Sequence, residues 1–233
     1  MTETATAPSR FAEVFGDWSP RAVVFDCDGM LLDTETVWNE TQDVILDRLG
    51  TELDAADAQA IVGSTLEDAA AIMARAAGAD YERVLAETRE EFIAALAADL
   101  RLMPGAEAVV AAAAARVPIA CASNSWHDAL VDKLTRAGLI EHFSALESTD
   151  TVERGKPFPD MYAQGAAALG ADAAQALAFE DSRTGARAAV AAGLRLIAVP
   201  SHGEDLSLAD LTLTSLEDPA LLAWIDSWPR TRR

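Results

Sequence analysis

The segment Ala22-Val23-Val24-Phe25-Asp26-Cys27-Asp28-Gly29 decides the fold. Four apolar residues with no helical period, followed at once by acids and a glycine, read as a strand buried on both faces that ends in a sharp turn. Three later short apolar runs also look like strands buried on both faces, at residues 118–122, 177–179 and 194–199. Helical patterns lie between them. Trp126, Leu130, Val131 and Leu134 share one helical face, with Gly138 where a helix would end, and a second helix is expected from about 183 to 192 with Gly193 as its stop. Alternation of this kind predicts an α/β fold, a doubly wound parallel sheet with helices on both sides.

One stretch breaks the alternation. From about Thr36 to Leu102 there is helical periodicity and no strand: Val37, Thr41, Val44, Ile45 and Leu49 line one face, and Val84, Leu85, Phe92, Ile93 and Leu96 another. Gly50, Gly63 and Gly78 divide it into short helices, and Pro104-Gly105 marks the return to the main domain. The expected organisation is an N-terminal tail over residues 1–20, a core formed by 21–35 with 104–233, and an inserted helical domain over 36–103.

Composition limits the partners. With 18 Lys+Arg against 38 Asp+Glu, the net charge of -20 repels phosphate backbones and anionic lipid alike, so neither nucleic acid nor membrane is an expected partner. The first ten residues have no basic start and no apolar stretch, hence no secretory signal, and no apolar run reaches the ~20 residues that span a bilayer. Cys27 and Cys121 fall in or beside strand-like runs and are expected as buried, reduced thiols, which suits the cytoplasm.

In open parallel sheets, ligands bind beyond the carboxyl ends of the strands. The first run there is followed by Asp26, Asp28 and Gly29, the second by Ser123-Asn124, and the third by Glu180-Asp181. Lys156 lies in the loop Arg154-Gly155-Lys156-Pro157-Phe158-Pro159-Asp160, where Asp160 is expected to brace the lysine loop or cap the next helix. If these loops converge, four carboxylates share one space and repel one another unless a cation is present. Oxygen-only ligands favour Mg²⁺, with Asp26, Asp28, Glu180 and Asp181 as candidate metal residues. Ser123 can donate to a phosphoryl oxygen, and Lys156 supplies a point charge. Gly29 permits a turn whose N–H groups face an anion, so Gly29, Ser123, Asn124 and Lys156 form the candidate phosphate-binding set.

Taken in order, Asp26-Cys27-Asp28-Gly29-Met30-Leu31-Leu32-Asp33-Thr34-Glu35, then Ser123, Lys156 and Glu180-Asp181, this pattern resembles the four motifs of the haloacid dehalogenase superfamily of phosphotransferases. The helical insertion resembles the alpha-helical cap of that superfamily, in the subgroup of sugar-phosphate phosphatases and beta-phosphoglucomutase. The resemblance implies a catalytic set of Asp26, Asp28, Ser123 and Lys156. Asp26 is then nucleophile and metal ligand, Asp28 is general acid and afterwards general base, and Asp181 holds the metal with Asp26 and the Asp28 carbonyl. It leaves open whether Glu180 ligates directly or through water. Asp28 argues against dehalogenation, since members that cleave carbon-halogen bonds lack a carboxylate there.

The implied activity is hydrolysis of a small phosphorylated metabolite, a sugar or polyol phosphate, by a monomer or weak homo-oligomer. A phosphosugar mutase is the enzymatic alternative, and a phospho-accepting or magnesium-binding module the non-enzymatic one. Leu66 and Trp38 stand where mutases carry an arginine and a histidine, which weakens the mutase reading. Trp38, Ser64 and Thr65 are the substrate candidates of the insertion, each with a plain alternative as a core aromatic or a turn residue.

Overall fold

A computed structural model of the chain describes residues 10–61, 64–200 and 206–230. The chain divides into two compact units, one formed by residues up to Leu32 together with those from Arg101 onward, the other by Asp33–Leu100.

The first unit is built on a six-stranded sheet. Its strands are β1 (Ala22–Asp26), β2 (Ile119–Ala122), β3 (Ala145–Glu147), β4 (Ala176–Glu180), β5 (Arg195–Ala198) and β6 (Leu211–Thr212). They lie in the order β3-β2-β1-β4-β5-β6, and every pairing is parallel. The expected doubly wound α/β sheet is therefore present, with the chain reversing direction of growth beside β1. β1 and β4 are buried at every position, which is why they read as continuous apolar runs. Alternate residues serve different faces. Ala22, Val24, Ala120, Ala122, Ala178 and Leu196 pack with Met161, Tyr162 and Ala166 of α8 (Asp160–Ala168) and Ala186, Ala188 and Ala189 of α9 (Arg183–Ala191). Phe25 and Phe179 point to the opposite face and stack at 4.9 Å.

Several elements of this unit lie outside the sequence expectations. β3 has three residues and β6 two, too few for a periodic signal. The alanine tract forms α6 (Ala106–Ala114), which follows the inserted unit. The expectation of a tail over residues 1–20 is corrected: α1 (Arg10–Phe15) is a helix whose Phe11 and Phe15, four residues apart, are buried. Both rings stack on Trp224 of α10 (Pro219–Asp226), at 4.9 and 4.8 Å. An aromatic pair on one helical face buries too much apolar surface to remain in water. Residues 1–9 lie outside the described part.

The second unit has helices and no strand among its described residues: α2 (Thr34–Leu49), α3 (Ala55–Ala60), α4 (Leu66–Ala77) and α5 (Tyr81–Ala98). Asp33, Asp54, Thr65 and Asp80 cap the four N-termini through their side chains, and Gly50 and Gly78 close α2 and α4 in left-handed conformation. The expected break at Gly63 lies outside the described residues. Ile45, Ile61, Ala69, Ala70, Met73 and Val84 form its core. Val44 and Ile93, expected on apolar faces, are exposed instead. Among the described residues, no helix is long and apolar enough to cross a membrane.

Candidate active site

Asp26 is the last residue of β1, paired in register with Ala122 at the end of β2, and Glu180 is the last residue of β4. Asp26, Ser123, Lys156, Glu180 and Asp181 are all buried. Folding at the carboxyl end of the sheet thus collects residues that are up to about 150 positions apart in sequence.

Lys156 ties the acids together. Its ammonium donates to Asp26 Oδ1 and to Glu180 Oε1, the latter at 2.6 Å. Burial works against its charge, but the two carboxylates outweigh this and raise its pKa, so it stays protonated. Glu180 is committed to protein donors: Oε1 also accepts from Tyr162 Oη at 2.6 Å, and Oε2 accepts from Ser182 Oγ at 3.0 Å and from the N–H groups of Asp181 and Ser182 at 3.2 Å. The lysine loop is held by Asn124, whose Oδ1 accepts from Lys156 N at 2.9 Å and whose Nδ2 donates to Lys156 O at 3.2 Å. Asp160 takes both Arg154 Nε and Nη2, at 3.0 and 2.8 Å, and so braces that loop as expected.

Asp28 occupies a second cluster. Its Oδ2 accepts from Ser123 Oγ at 2.9 Å and Ser125 Oγ at 3.3 Å, and Lys133 Nζ bonds Oδ1 and Oδ2 at 2.6 and 2.7 Å. Burial pushes the Asp28 carboxyl up, but the Lys133 charge and these hydrogen bonds outweigh it and lower the pKa. Gly29 turns the chain at φ +82°, where L side chains are strained, and a Cβ there would overlap the Asp181 carboxylate. That glycine is what lets Asp181 close onto the first loop.

The arrangement fits a divalent cation. Asp26, Glu180 and Asp181 each present a carboxylate oxygen within 4.8 Å of the others. Asp26 Oδ2 is buried without a hydrogen-bond partner among the described residues, and burial together with Glu180, Asp181 and Asp28 holds its carboxyl well above the usual range despite Lys156. Four acids against two lysines leave an excess of negative charge that an ion coordinated by oxygen would neutralise.

The sequence candidates divide accordingly. Asp26, Asp28, Gly29, Ser123, Asn124, Lys156, Glu180 and Asp181 lie in the first unit, at the carboxyl end of the sheet. Trp38, Ser64 and Thr65 lie in the helical unit: Trp38 packs edge to face on Phe92 at 5.1 Å, Ser64 Oγ donates to Ile61 O at 2.8 Å, and Thr65 caps α4. Their side chains thus make the core and turn contacts of that unit.

Lys133, Ser125 and Tyr162 were not legible as site residues. Lys133 sits on α7 (His127–Arg136), whose buried face is Leu130, Lys133 and Leu134. Trp126, expected on that face, is 75% exposed at the N-cap, and Val131 is only half-buried. A lysine interrupting an apolar stripe at i, i+3, i+4 is the signal that could have found it.

The sequence pattern of the haloacid dehalogenase-like hydrolases matches residues 23–199. Among known proteins, the chain is similar to the bifunctional riboflavin kinase/FMN phosphatase of Arabidopsis thaliana, 34% identical over 87% of this chain, although it spans only 55% of that protein. It is 32% identical to (DL)-glycerol-3-phosphatase 2 of the same plant, over 84% of this chain and 87% of the relative. In structure it is similar to a HAD family hydrolase from Deinococcus radiodurans R1 with bound phosphate and sodium, with a TM-score of 0.77 and 32% identity, covering 92% of this chain and 100% of that one. The match runs from β1 to just past β5 and takes in every strand whose end carries one of the buried acids, so the chain belongs to the haloacid dehalogenase-like hydrolases.

Proposed function

We propose that this phosphatase hydrolyses a small phosphate monoester, a sugar or polyol phosphate, with Mg²⁺ as cofactor and a covalent phosphoryl group on Asp26. The observation that carries the reading is the Asp26 carboxylate, with one oxygen gripped by Lys156 and the other buried without a hydrogen-bond partner among the described residues. An isolated structural aspartate at a strand end would be capped or solvated.

Asp26 and Asp181 would hold the ion, and Glu180, which accepts from Lys156, Tyr162 and Ser182, would fix the lysine and stand close enough to ligate directly or through water. A bound Mg²⁺ supplies positive charge against the phosphoryl oxygens and the acids. In the first step the Asp26 carboxylate attacks phosphorus, the bond to the leaving oxygen breaks, and Asp28, which must first take up a proton against the pull of Lys133, gives it to that oxygen. In the second, Asp28 takes a proton from water as the water oxygen bonds to phosphorus and Asp26 is released. Ser123 Oγ, Lys156 Nζ and the backbone N–H groups near Gly29 and Asn124 bind the transferring phosphoryl oxygens. The glycerol phosphatase relative supports a small polyol phosphate as substrate.

The test is phosphate release from a panel of monoesters with and without Mg²⁺. Sugar and polyol phosphates should be hydrolysed by the native protein and by no Asp26→Asn preparation. Turnover that survives this substitution overturns the reading.

A further inference from the structure

We infer that Lys133 is a positioning residue for Asp28, locking its carboxylate at the point from which it serves the leaving oxygen while Ser123 passes from Asp28 to the phosphoryl group. The inference rests on Asp28 as the proton donor and acceptor proposed above.

The geometry has three parts. Lys133 Nζ forks across both Asp28 oxygens and also donates to Ser125 Oγ at 2.8 Å, so one ammonium fixes the plane of the carboxylate and the serine beside it. Lys133 is buried, and Leu130 and Leu134 on either side of it on α7 are wholly buried, so the ammonium has little freedom to follow Asp28 elsewhere. The third part is competition. Ser123 Oγ, which accepts from Ser125 N at 3.1 Å, spends its single proton on Asp28 Oδ2. A hydroxyl with one proton cannot donate to Asp28 and to a phosphoryl oxygen together.

Phosphate binding therefore costs Asp28 its bond from Ser123. Without Lys133 the carboxylate would be left with Ser125 at 3.3 Å and would be free to rotate toward water at the moment it is needed. With Lys133 the carboxyl keeps a partner on its unprotonated oxygen in the first half-reaction and on both oxygens once its proton is given up. Misplacement of a catalytic group by about an ångström costs on the order of a hundredfold in rate, which sets the scale of the effect.

Because Asp28 acts on the leaving oxygen and on water, the signature lies in leaving-group dependence. The decisive comparison is Lys133→Met, which keeps an unbranched apolar stem in the buried site, assayed on an alkyl phosphate such as glycerol 3-phosphate and on 4-nitrophenyl phosphate. The expected result is a loss of kcat of roughly 10- to 100-fold on the alkyl ester. Phosphorylation of Asp26 by the aryl ester should change by less than about threefold, because its leaving group needs no proton. The covalent phosphoprotein should then accumulate in intact-mass spectra, and Lys133→Arg should recover part of the alkyl activity. If Lys133 only pins α7 to the first loop, Lys133→Met lowers both substrates by the same factor and builds up no intermediate, and the inference fails.

Thermal unfolding of each variant accompanies the assay. Should Lys133→Met not fold, Ser125→Ala decides, since it removes the third contact of the same fork. A several-fold loss on the alkyl ester with phosphoprotein building up on the aryl ester supports the inference, and a loss without that build-up, or no loss, overturns it. Failure of the underlying reading looks different: Asp26→Asn would then turn over either ester.

Discussion

Lys156 Nζ donates to Glu180 Oε1 at 2.6 Å, and both side chains are closed off from water. The pair is fixed from outside by a glycine. A Cβ at Gly185, in the first turn of α9, would overlap the Glu180 carboxylate. Helix propensity alone favours alanine over glycine by about 1 kcal/mol. Overpacking a filled site costs about 1–3 kcal/mol, and disturbing a buried ion pair adds to that, so the clash wins. Gly185→Ala should lower the unfolding free energy by at least about 1 kcal/mol and cut phosphatase activity strongly. Gly165→Ala in α8 is the control, because its Cβ would meet Glu147 and Val24 at an ordinary 3.5 Å. That change should be neutral or stabilise by up to about 1 kcal/mol. Urea titration of both variants reads the opposite signs.

Metal dependence follows from the charge balance of the same site. EDTA should abolish turnover and Mg²⁺ restore it, and Ca²⁺ should support less activity, since its looser and higher coordination suits in-line transfer poorly. Mg²⁺ should also raise the melting temperature of the native protein and raise it less in Asp181→Asn. Full activity in metal-free buffer would sink the proposal.

The fold was largely legible because its central strands are buried on both faces and end in chemistry. β1, β2 and β4 each combine an apolar run with a polar break, and β5 is an apolar run after Arg195. β3 and β6 lack both features, since edge strands of three and two residues leave no run to read. The acids were legible for a related reason: strand ends are fixed points, and the residue after each is known once the strand is. What was not legible is which group each acid faces. Glu180 is a metal candidate in sequence and sits with Asp26 and Asp181 in the fold, but its contacts with Lys156 and Tyr162, which come from other elements, and with Ser182 left no trace in the sequence. Lys133 lies ten residues past Ser123 with no motif around it, and only the rotation of α7 brings it to Asp28.

Stability should depend on pH through Glu147, which ends β3. Burial raises its carboxyl above the ordinary value, against hydrogen bonds from Thr151 and Gln164 and the charge of His127. The folded protein therefore prefers the protonated form. That contribution is fully present below the unfolded pKa of about 4.3 and is lost as pH rises through the higher folded value. Glu147→Gln keeps an acceptor for Thr151 and Gln164 and cannot ionise. Relative to the native protein, it should gain stability between pH 4 and neutrality, and urea midpoints across that range would reveal it. A difference that does not change with pH would exclude Glu147 as the source.

The N-terminal helix offers a prediction about packing alone. Phe11 is wholly buried and stacks on Trp224, which meets Trp228 edge to face at 4.9 Å. Phe11→Ala should cost about 3–5 kcal/mol of stability while leaving KM for the best substrate unchanged at low temperature. If residues 10–15 behaved as a tail, the substitution would be neutral in urea unfolding.

The two aspartates of the first loop can be separated by the covalent intermediate. Asp26 ends β1 with an oxygen against Lys156, whereas Asp28, two residues on, is turned toward Ser123, Ser125 and Lys133. In the proposed mechanism the first attacks phosphorus and the second handles protons. Asp26→Asn should eliminate the phosphoprotein altogether, because an amide is a very poor nucleophile. Asp28→Asn keeps the nucleophile and loses the acid and base, which is worth typically ~10²–10⁴-fold in turnover. An aryl or acyl phosphate, whose leaving group needs no proton, should still phosphorylate this variant, and the product should then hydrolyse slowly. Intact-mass spectrometry after a short incubation distinguishes the two variants by the mass of one phosphoryl group. A phosphoprotein formed by Asp26→Asn and never by Asp28→Asn would reverse the roles of the two residues.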